Sequence, residues 1–246
     1  MNNLTQAERL VSIWEDRRAV LNLMGIFSGH YLLKEEKTIV SELFAHREDL
    51  CLAVNNGYYV GRAAVEGYYA ALHEKNLLTT RLIMAKYPEA FAGKTPEEAY
   101  GCGLINYKPL DTPVVEIAGD GATARGIWTC RNSYSDLTTG GPVTYYEWGW
   151  VAADFVKEAE GWKIWHLQIL NDVHVQAGLQ YYEADKPYPP VEGFEEMASF
   201  AMPAPTIPVT VREPYRPDRP RTPSPEVPKP YQTFAETGSY GYREVT

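Results

Sequence analysis

The chain has 246 residues, enough for one large or two small domains, and its 45% apolar and 22% charged residues are typical of a globular protein. The formal net charge of −9 disfavours nucleic-acid binding, because an acidic surface repels phosphates. Three cysteines without a C-x-x-C pair argue against a disulfide framework or a zinc site, so we expect no bound metal.

The N-terminal residues, Met1 to Gln6, have neither the basic nor the apolar stretch of a signal peptide. No apolar run in the sequence is long enough to cross a bilayer. We therefore expect a cytoplasmic protein with no membrane partner.

The first third of the chain has helical patterning. Apolar residues recur at helical spacing over residues 5 to 34, which predicts helix in two segments, and a shorter helix is predicted from Glu35 to Phe44. A hairpin is predicted over residues 50–60, where Asn-Asn-Gly marks the turn, and another helix begins at Gly61-Arg62. Thr95-Pro96-Glu97-Glu98 is typical of a helix start.

After residue 102 the helical period gives way to alternation between apolar and polar residues. Helices followed by an antiparallel meander indicate an α+β architecture. The pattern predicts five strands: Leu104–Tyr107, Pro113–Ala118, Ala122–Arg131, Thr144–Lys157 and Trp162–Leu170.

The composition changes abruptly at Lys186, since most of the 18 prolines follow this residue. The sequence thus predicts a folded domain over residues 1–185 and a proline-rich extended tail over residues 186–246. Aromatic residues spaced along the tail can anchor it to a surface. That surface is either the chain's own body or a neighbouring subunit, and we expect a homo-oligomer, a dimer or trimer, that exchanges tails.

Three sequence blocks, Gly57–Val65, Val115–Trp128 and Asp154–Leu167, occur in an order that resembles the SnoaL-like members of the NTF2-like superfamily. The resemblance covers roughly residues 8 to 175. It implies a cone-shaped α+β barrel, in which N-terminal helices cover a curved antiparallel sheet and enclose a pocket for a small molecule. The superfamily includes several enzyme classes and non-enzymatic binders, so activity has to be argued from the site.

Four residues are candidates for acid–base catalysis. His30 can move a proton near neutral pH, and Tyr31 can donate a hydrogen bond to a developing oxyanion. The resemblance implies that Glu147 points into the cone, where a carboxylate needs a partner, for which His30 and His166 are the candidates. The alternatives are a His30 or Tyr31 that only packs, and an exposed Glu147.

Five further residues are expected to contact the substrate by ring stacking or hydrogen bonding. Histidine and glutamine on one face of the last strand either reach the pocket or meet a partner subunit. The five residues are Tyr59, Trp128, Tyr146, Gln168 and Asn171.

The sequence contains no P-loop, no G-x-S-x-G, no H-E-x-x-H and no dinucleotide fingerprint, so we expect no cofactor. The resemblance then implies a cofactor-independent lyase, a dehydratase or a formaldehyde-releasing enzyme, acting on a small aromatic or polycyclic substrate. The alternatives are an isomerase or cyclase that uses the same pocket, and a non-catalytic binding or scaffold protein.

Overall fold

The computed structural model describes residues 3–136, 143–180, 195–220 and 224–243. Its helices are α1 (Asn3–Leu33), α2 (Glu36–Leu43), α3 (Arg62–Lys86) and α4 (Glu195–Ser199). The prediction of two segments before residue 34 is wrong, because α1 is one continuous helix. No proline interrupts it, and its two glycines are tolerated in the middle of a long helix.

The eight described strands form one curved sheet in the order β3-β5-β6-β7-β1-β2-β8, and β4 also pairs with β5. All the pairs are antiparallel except that of β1 with β7, so the sheet is mixed. The strands are β1 (Cys51–Val54), β2 (Gly57–Val60), β3 (Leu104–Tyr107), β4 (Leu110–Ile117), β5 (Thr123–Asp136), β6 (Val143–Glu158), β7 (Gly161–Gln176) and β8 (Ile207–Pro208).

The three long strands β5, β6 and β7 carry the curvature of the sheet. Strands of 14 to 16 residues twist and coil when they pair over their full length. The pairing of β6 with β7 shifts register at two places, after Trp148 and after Asp154, and such bulges bend a strand further. The predicted α+β cone is thereby confirmed.

The concave face of the sheet, called the inner face below, packs against α1, α2 and α3. Phe27, Phe44 and Phe155 are fully buried there, with Trp128 beside Phe155 at 6.2 Å between ring centroids. Gly126 makes room for the indole, since a Cβ at that position would lie 2.4 Å from the Trp128 ring. This deep part of the cone is filled with aromatic side chains.

The opposite face of the sheet, the outer face, is covered by the later segments of the tail, whereas α4 near its start packs against α3. Strand β8 adds to β2, and the backbone at Gly119 and Asp120 donates to the carbonyls of Tyr231 and Gln232. These tail segments lie on the chain's own body, and tail exchange between subunits stays a prediction. Within the described residues, no helix combines the length and apolarity needed to span a membrane.

Candidate functional site

A carboxylate, an imidazole and an amide meet on the inner face, and we call Asn132, Glu147 and His174 the Glu147 cluster. Asn132 Nδ2 donates to Glu147 Oε2 at 2.6 Å, and His174 Nε2 lies 3.7 Å from Glu147 Oε1. The Glu147 and His174 side chains are 25% and 35% exposed, whereas Asn132 is fully buried. The cluster is therefore anchored in the sheet and open on one side.

Strand pairing explains why these three side chains meet. Asn132 and His174 are the register partners of Glu147 on β5 and β7. Before the bulge Gly149 pairs with Asn171, and an unshifted register would place Val173 opposite Glu147. Because one residue of slip exchanges the two faces of a strand, the bulge brings His174 to the inner face.

Tyrosines continue the inner face around the Glu147 cluster. The Tyr145 ring lies 5.9 Å from both the His174 ring and the Tyr134 ring. On α3, the Tyr68 ring lies 5.0 Å from that of Tyr59. Burial is the main cause that raises the pKa of Tyr68, so this phenol stays protonated and able to donate at neutral pH.

A buried cation, Lys108, lies on the same side of the sheet. Its Nζ is 5.2 Å from the centre of the Tyr31 ring, and its carbonyl accepts a hydrogen bond from Ser28 Oγ at 2.6 Å. Burial raises the pKa of the Cys130 thiol, with Lys108 opposing this effect and Glu147 adding to it. The ammonium and the carboxylate therefore both act electrostatically on Cys130.

His30 lies apart from this cluster, near the C-terminal end of α1. Its Nδ1 is 2.8 Å from Glu35 Oε2, and its Nε2 is 3.5 Å from Glu42 Oε2. The sequence offered His30 as a partner of Glu147, and the structure gives it these two surface carboxylates instead. The neighbouring Tyr31 does face the core, where its ring lies 5.0 Å from Phe27.

His166, the other suggested partner of Glu147, faces the outer side of the sheet under the tail. The buried Asp154 accepts hydrogen bonds from His166 Nδ1 at 2.8 Å, from Ser239 Oγ at 2.6 Å and from the backbone N–H of Tyr240 at 2.8 Å. Ser239 Oγ approaches the same Nδ1, at 3.1 Å. A catalytic triad needs the serine and the carboxylate on different ring nitrogens, so this group works as an anchor for the tail.

Gln168 lies beside His166 and also binds the tail, since its Nε2 donates to the Tyr240 carbonyl at 2.7 Å. A cavity of about 630 Å³ separates the tail from the outer face, with Gln168, Arg125 and Tyr58 in its lining. The outer face therefore holds a polar cavity that is separate from the inner-face cluster.

The other expected substrate-binding residues have different surroundings. Tyr59 and Trp128 are each 2% exposed, and the Tyr59 hydroxyl donates to the Pro203 carbonyl at 2.8 Å. Tyr146 points to the opposite side of β6 from Glu147, with its ring 5.5 Å from that of Trp148. The backbone N–H of Asn171 donates to Asn55 Oδ1, which fixes the start of the bulge.

The sequence interpretation did not name Asn132, Lys108 or Tyr68 as site residues, and it did not assign His174 to the inner face. Extending the predicted strand that ended at Arg131 by one residue would have put Asn132 on the inner face with Cys130. No pattern in the sequence predicts the β7 bulge that turns the His174 side chain to the inner face.

One group of described residues has the spacing of a metal site. Donor atoms of His46, Glu158 and Glu160 lie within 4.8 Å of one another on an exposed part of the chain. The backbone N–H and the Nδ1 of His46 each lie 2.7 Å from an oxygen of Glu158. His46 and Glu158 therefore contact each other directly, and the absence of a metal remains a prediction.

A family model described as a SnoaL-like domain matches residues 14–168. Among curated proteins, none matches the sequence significantly. Similar solved structures include the Kfla4162 protein from Kribbella flavida, with 16% identity, a TM-score of 0.47, and 65% of this chain and 93% of that one covered.

Two further similar structures come from Novosphingobium aromaticivorans. One is an NTF2-like protein with a cystatin-like fold, at 18% identity and a TM-score of 0.43, covering 70% of this chain and 91% of that one. The other is a putative scytalone dehydratase, at 12% identity and a TM-score of 0.48, covering 74% of this chain and 99% of that one. Identities this low carry no argument about activity.

Proposed function

We propose, because this chain belongs to the SnoaL-like family, that it is a cofactor-independent lyase whose reaction takes place at the Glu147 cluster. The observation that supports the proposal is the carboxylate–imidazole contact of Glu147 with His174 on the inner face. The proposed substrate is a small aromatic or polycyclic compound, because tyrosines surround this pair.

In the proposed reaction, neutral His174 removes a proton from the carbon next to the one that bears the leaving group. The C–H electron pair forms the new double bond, and the bond to the leaving oxygen breaks. Glu147 stabilises the resulting imidazolium, and Asn132 holds the carboxylate in position. A histidine with a carboxylate beside it is well suited to this step near neutral pH.

The departing oxygen develops negative charge and accepts a proton from the Lys108 ammonium, so that it leaves as water; the His174 imidazolium then returns a proton to Lys108 through solvent. Lys108 supplies a buried ammonium, and Tyr68 supplies a phenol that burial keeps protonated. Such donors stabilise a developing oxyanion more strongly in a site shielded from water than they do in solution. Tyr134 and Tyr145 are the proposed stacking surface for the ring of the substrate.

The test is turnover of a panel of aromatic and polycyclic alcohols, with products identified by mass spectrometry. Glu147→Gln and His174→Gln should each lower kcat/KM by about 100-fold or more, the usual contribution of a general acid or base. His30→Gln is the matched control, since His30 contacts Glu35 and Glu42 instead, and it should stay close to wild type.

Product mass separates the alternatives. A lyase releases a second molecule, whereas an isomerase or cyclase, in which His174 returns the proton to another carbon, conserves the mass of the substrate. Wild-type turnover in both cluster variants would refute the site. Tight binding of panel compounds without conversion would favour a binding protein.

A further inference from the structure

The side of α1 that faces away from the body is apolar, although nothing described in the chain covers it. Val20, Met24, Phe27 and Tyr31 place one side of the helix in the core. Seven of the fourteen exposed large apolar residues of the described chain also belong to α1. Six of these form the outward face of the helix: Leu10, Val11, Trp14, Ile26, Leu32 and Leu33, each 39% to 65% exposed.

A helix that is apolar on both sides is typical of one buried between two layers. Two charged residues, Glu15 and Arg18, also lie on the outward face, and the Arg18 guanidinium is 5.9 Å from the centre of the Trp14 ring. The six large exposed apolar side chains outnumber these two charges. Such a face marks an interaction site.

Two glycines give the outward face its shape. A Cβ at Gly25 or Gly29 would meet nothing within 4 Å, so neither glycine is required by packing inside the chain. Glycine costs helix stability relative to other residues, by roughly 1 kcal/mol compared with alanine. Two such residues four positions apart leave a shallow depression in which another helix can approach closely.

We propose that this outward face of α1 packs against the same face of a second copy of the chain, with the two helices antiparallel. The N-terminal half of the face is bulky, with Leu10 and Trp14, whereas the C-terminal half has Gly25 and Gly29. An antiparallel pair places each bulky half against the depression of the other helix, and a two-fold axis repeats the fit.

The size of the face agrees with this assembly. From Leu10 to Leu33 the helix spans about 35 Å at ~1.5 Å per residue, with a diameter of ~10–12 Å. Half of the surface of such a cylinder is roughly 600 Å², and stable interfaces bury at least about 600 Å² on each partner. The inference is independent of the proposed lyase activity.

The test is the oligomeric state of the full chain, measured by sedimentation velocity over a dilution series in the micromolar range. Wild type should be a dimer. The double variant G25L/G29L should raise the dimer dissociation constant at least about tenfold, because the new side chains keep the helices apart. Its helix content, measured by far-ultraviolet circular dichroism, should not fall, since leucine is a better helix former than glycine.

Gly67→Leu is the matched control, because Gly67 is an exposed helical glycine on α3 with no atom near its missing Cβ. It should leave the dimer intact. Trp14→Ala removes a large exposed ring without touching the core, and it should also weaken the dimer. A wild type that stays monomeric, a dimer that persists in both α1 variants, or dissociation caused equally by Gly67→Leu would each overturn the proposal.

Discussion

Glu147 and His174 meet because β7 has one more residue than β6 between Ile169 and the cluster. Gly149 permits this arrangement, since its backbone lies directly against the bulged strand. Side-chain alternation along an unbulged strand would have given Glu147 a valine as its neighbour. At the residue scale, the candidate site therefore depends on a glycine that takes no part in the proposed chemistry.

Gly149→Ala should be strongly destabilising. The added Cβ would lie 1.9 Å from the Leu170 carbonyl oxygen, so the two strands must separate or slip. Overpacking of this kind costs typically 1–3 kcal/mol and sometimes more, and we expect a loss of about 3 kcal/mol in the free energy of unfolding. Urea denaturation measures it, with Gly67→Ala as a control that should be neutral or stabilising. A Gly149→Ala protein as stable as wild type would contradict the bulge.

His73 should make stability depend on pH. Burial is the main cause that lowers the pKa of His73; the nearby Lys37 adds to this effect, and Glu36 and Glu74 oppose it without cancelling it. The unfolded chain binds a proton at an ordinary pKa of about 6.5, while the folded chain resists it. Stability should therefore fall as the pH drops through about 6.5 towards the lower pKa of the folded state.

Urea midpoints of wild type and His73→Gln between about pH 8 and pH 5.5 provide the measurement. The difference at the alkaline end gives the cost of the substitution itself, because His73 is then neutral in both states. The variant should lose less stability than wild type on acidification. Parallel pH profiles for the two proteins would contradict this account.

The catalytic candidates show how far single residues can be interpreted from a sequence. Alternation along β6 grouped Glu147 with Gly149 and Val151 on one face, and the family resemblance was needed to predict that this face is the inner one. The sequence did not show which histidine lies beside Glu147, because that depends on how β6 pairs with β7. His30 lies within reach of Glu35 and Glu42, which are close in sequence, whereas His174 depends on the register of β6 and β7.

At the scale of elements, the strands were the most predictable part of the chain. Leu104–Tyr107 agrees with β3, and the predicted Thr144–Lys157 differs from β6 by one residue at each end. The last strand runs six residues beyond its predicted end at Leu170, because two consecutive polar residues, Asn171 and Asp172, interrupt the alternation before it resumes. Regular alternation was visible in the sequence, and its interruption hid the continuation.

The predicted helix start at Thr95–Glu98 has the hydrogen bonds of a helix cap, but no helix follows it. The Thr95 backbone N–H donates to Glu98 Oε2, and the Glu98 N–H donates to Thr95 Oγ1, as in a capping box. The segment nevertheless forms turns, and glycines at 101 and 103 adopt positive φ angles soon after it. Capping bonds satisfy backbone donors but do not supply the apolar face that a helix needs.

The anchor of the tail can be tested as an element. Ser239→Ala removes one hydrogen bond to Asp154 and should cost the docked tail about 1 kcal/mol. Asp154→Ala leaves several buried donors unpaired and should cost about 3 kcal/mol. Amide hydrogen exchange of residues 231–243 should therefore be faster than wild type in Ser239→Ala and faster still in Asp154→Ala.

Ser199→Ala is the control for the anchor, since this exposed serine bonds only to the Glu196 carbonyl in the described structure. Its tail should exchange at the wild-type rate. If amide hydrogen exchange in Asp154→Ala accelerated equally in β6 and in residues 231–243, the substitution would be unfolding the whole protein. Asp154 would then not act specifically on the tail.

At the scale of the whole molecule, the sheet is covered on both faces by its own chain. Helices cover the inner face, and the tail covers the outer face through Asp154, Gln168 and their partners. The fold class was predictable because its helices and strands carry strong periodic signals. The position of the tail was not predictable, because extended proline-rich segments have no periodicity that indicates which surface they bind.

The parallel contact between β1 and β7 has a consequence for how the protein is made. Leu52 pairs with Leu167, so the early hairpin meets its neighbouring strand only after nearly the whole sheet has been synthesised. Until then, an apolar strand edge near the start of the nascent polypeptide has no partner, and such edges favour aggregation. A ribosome that stalls before residue 168 would therefore release a product prone to capture by chaperones.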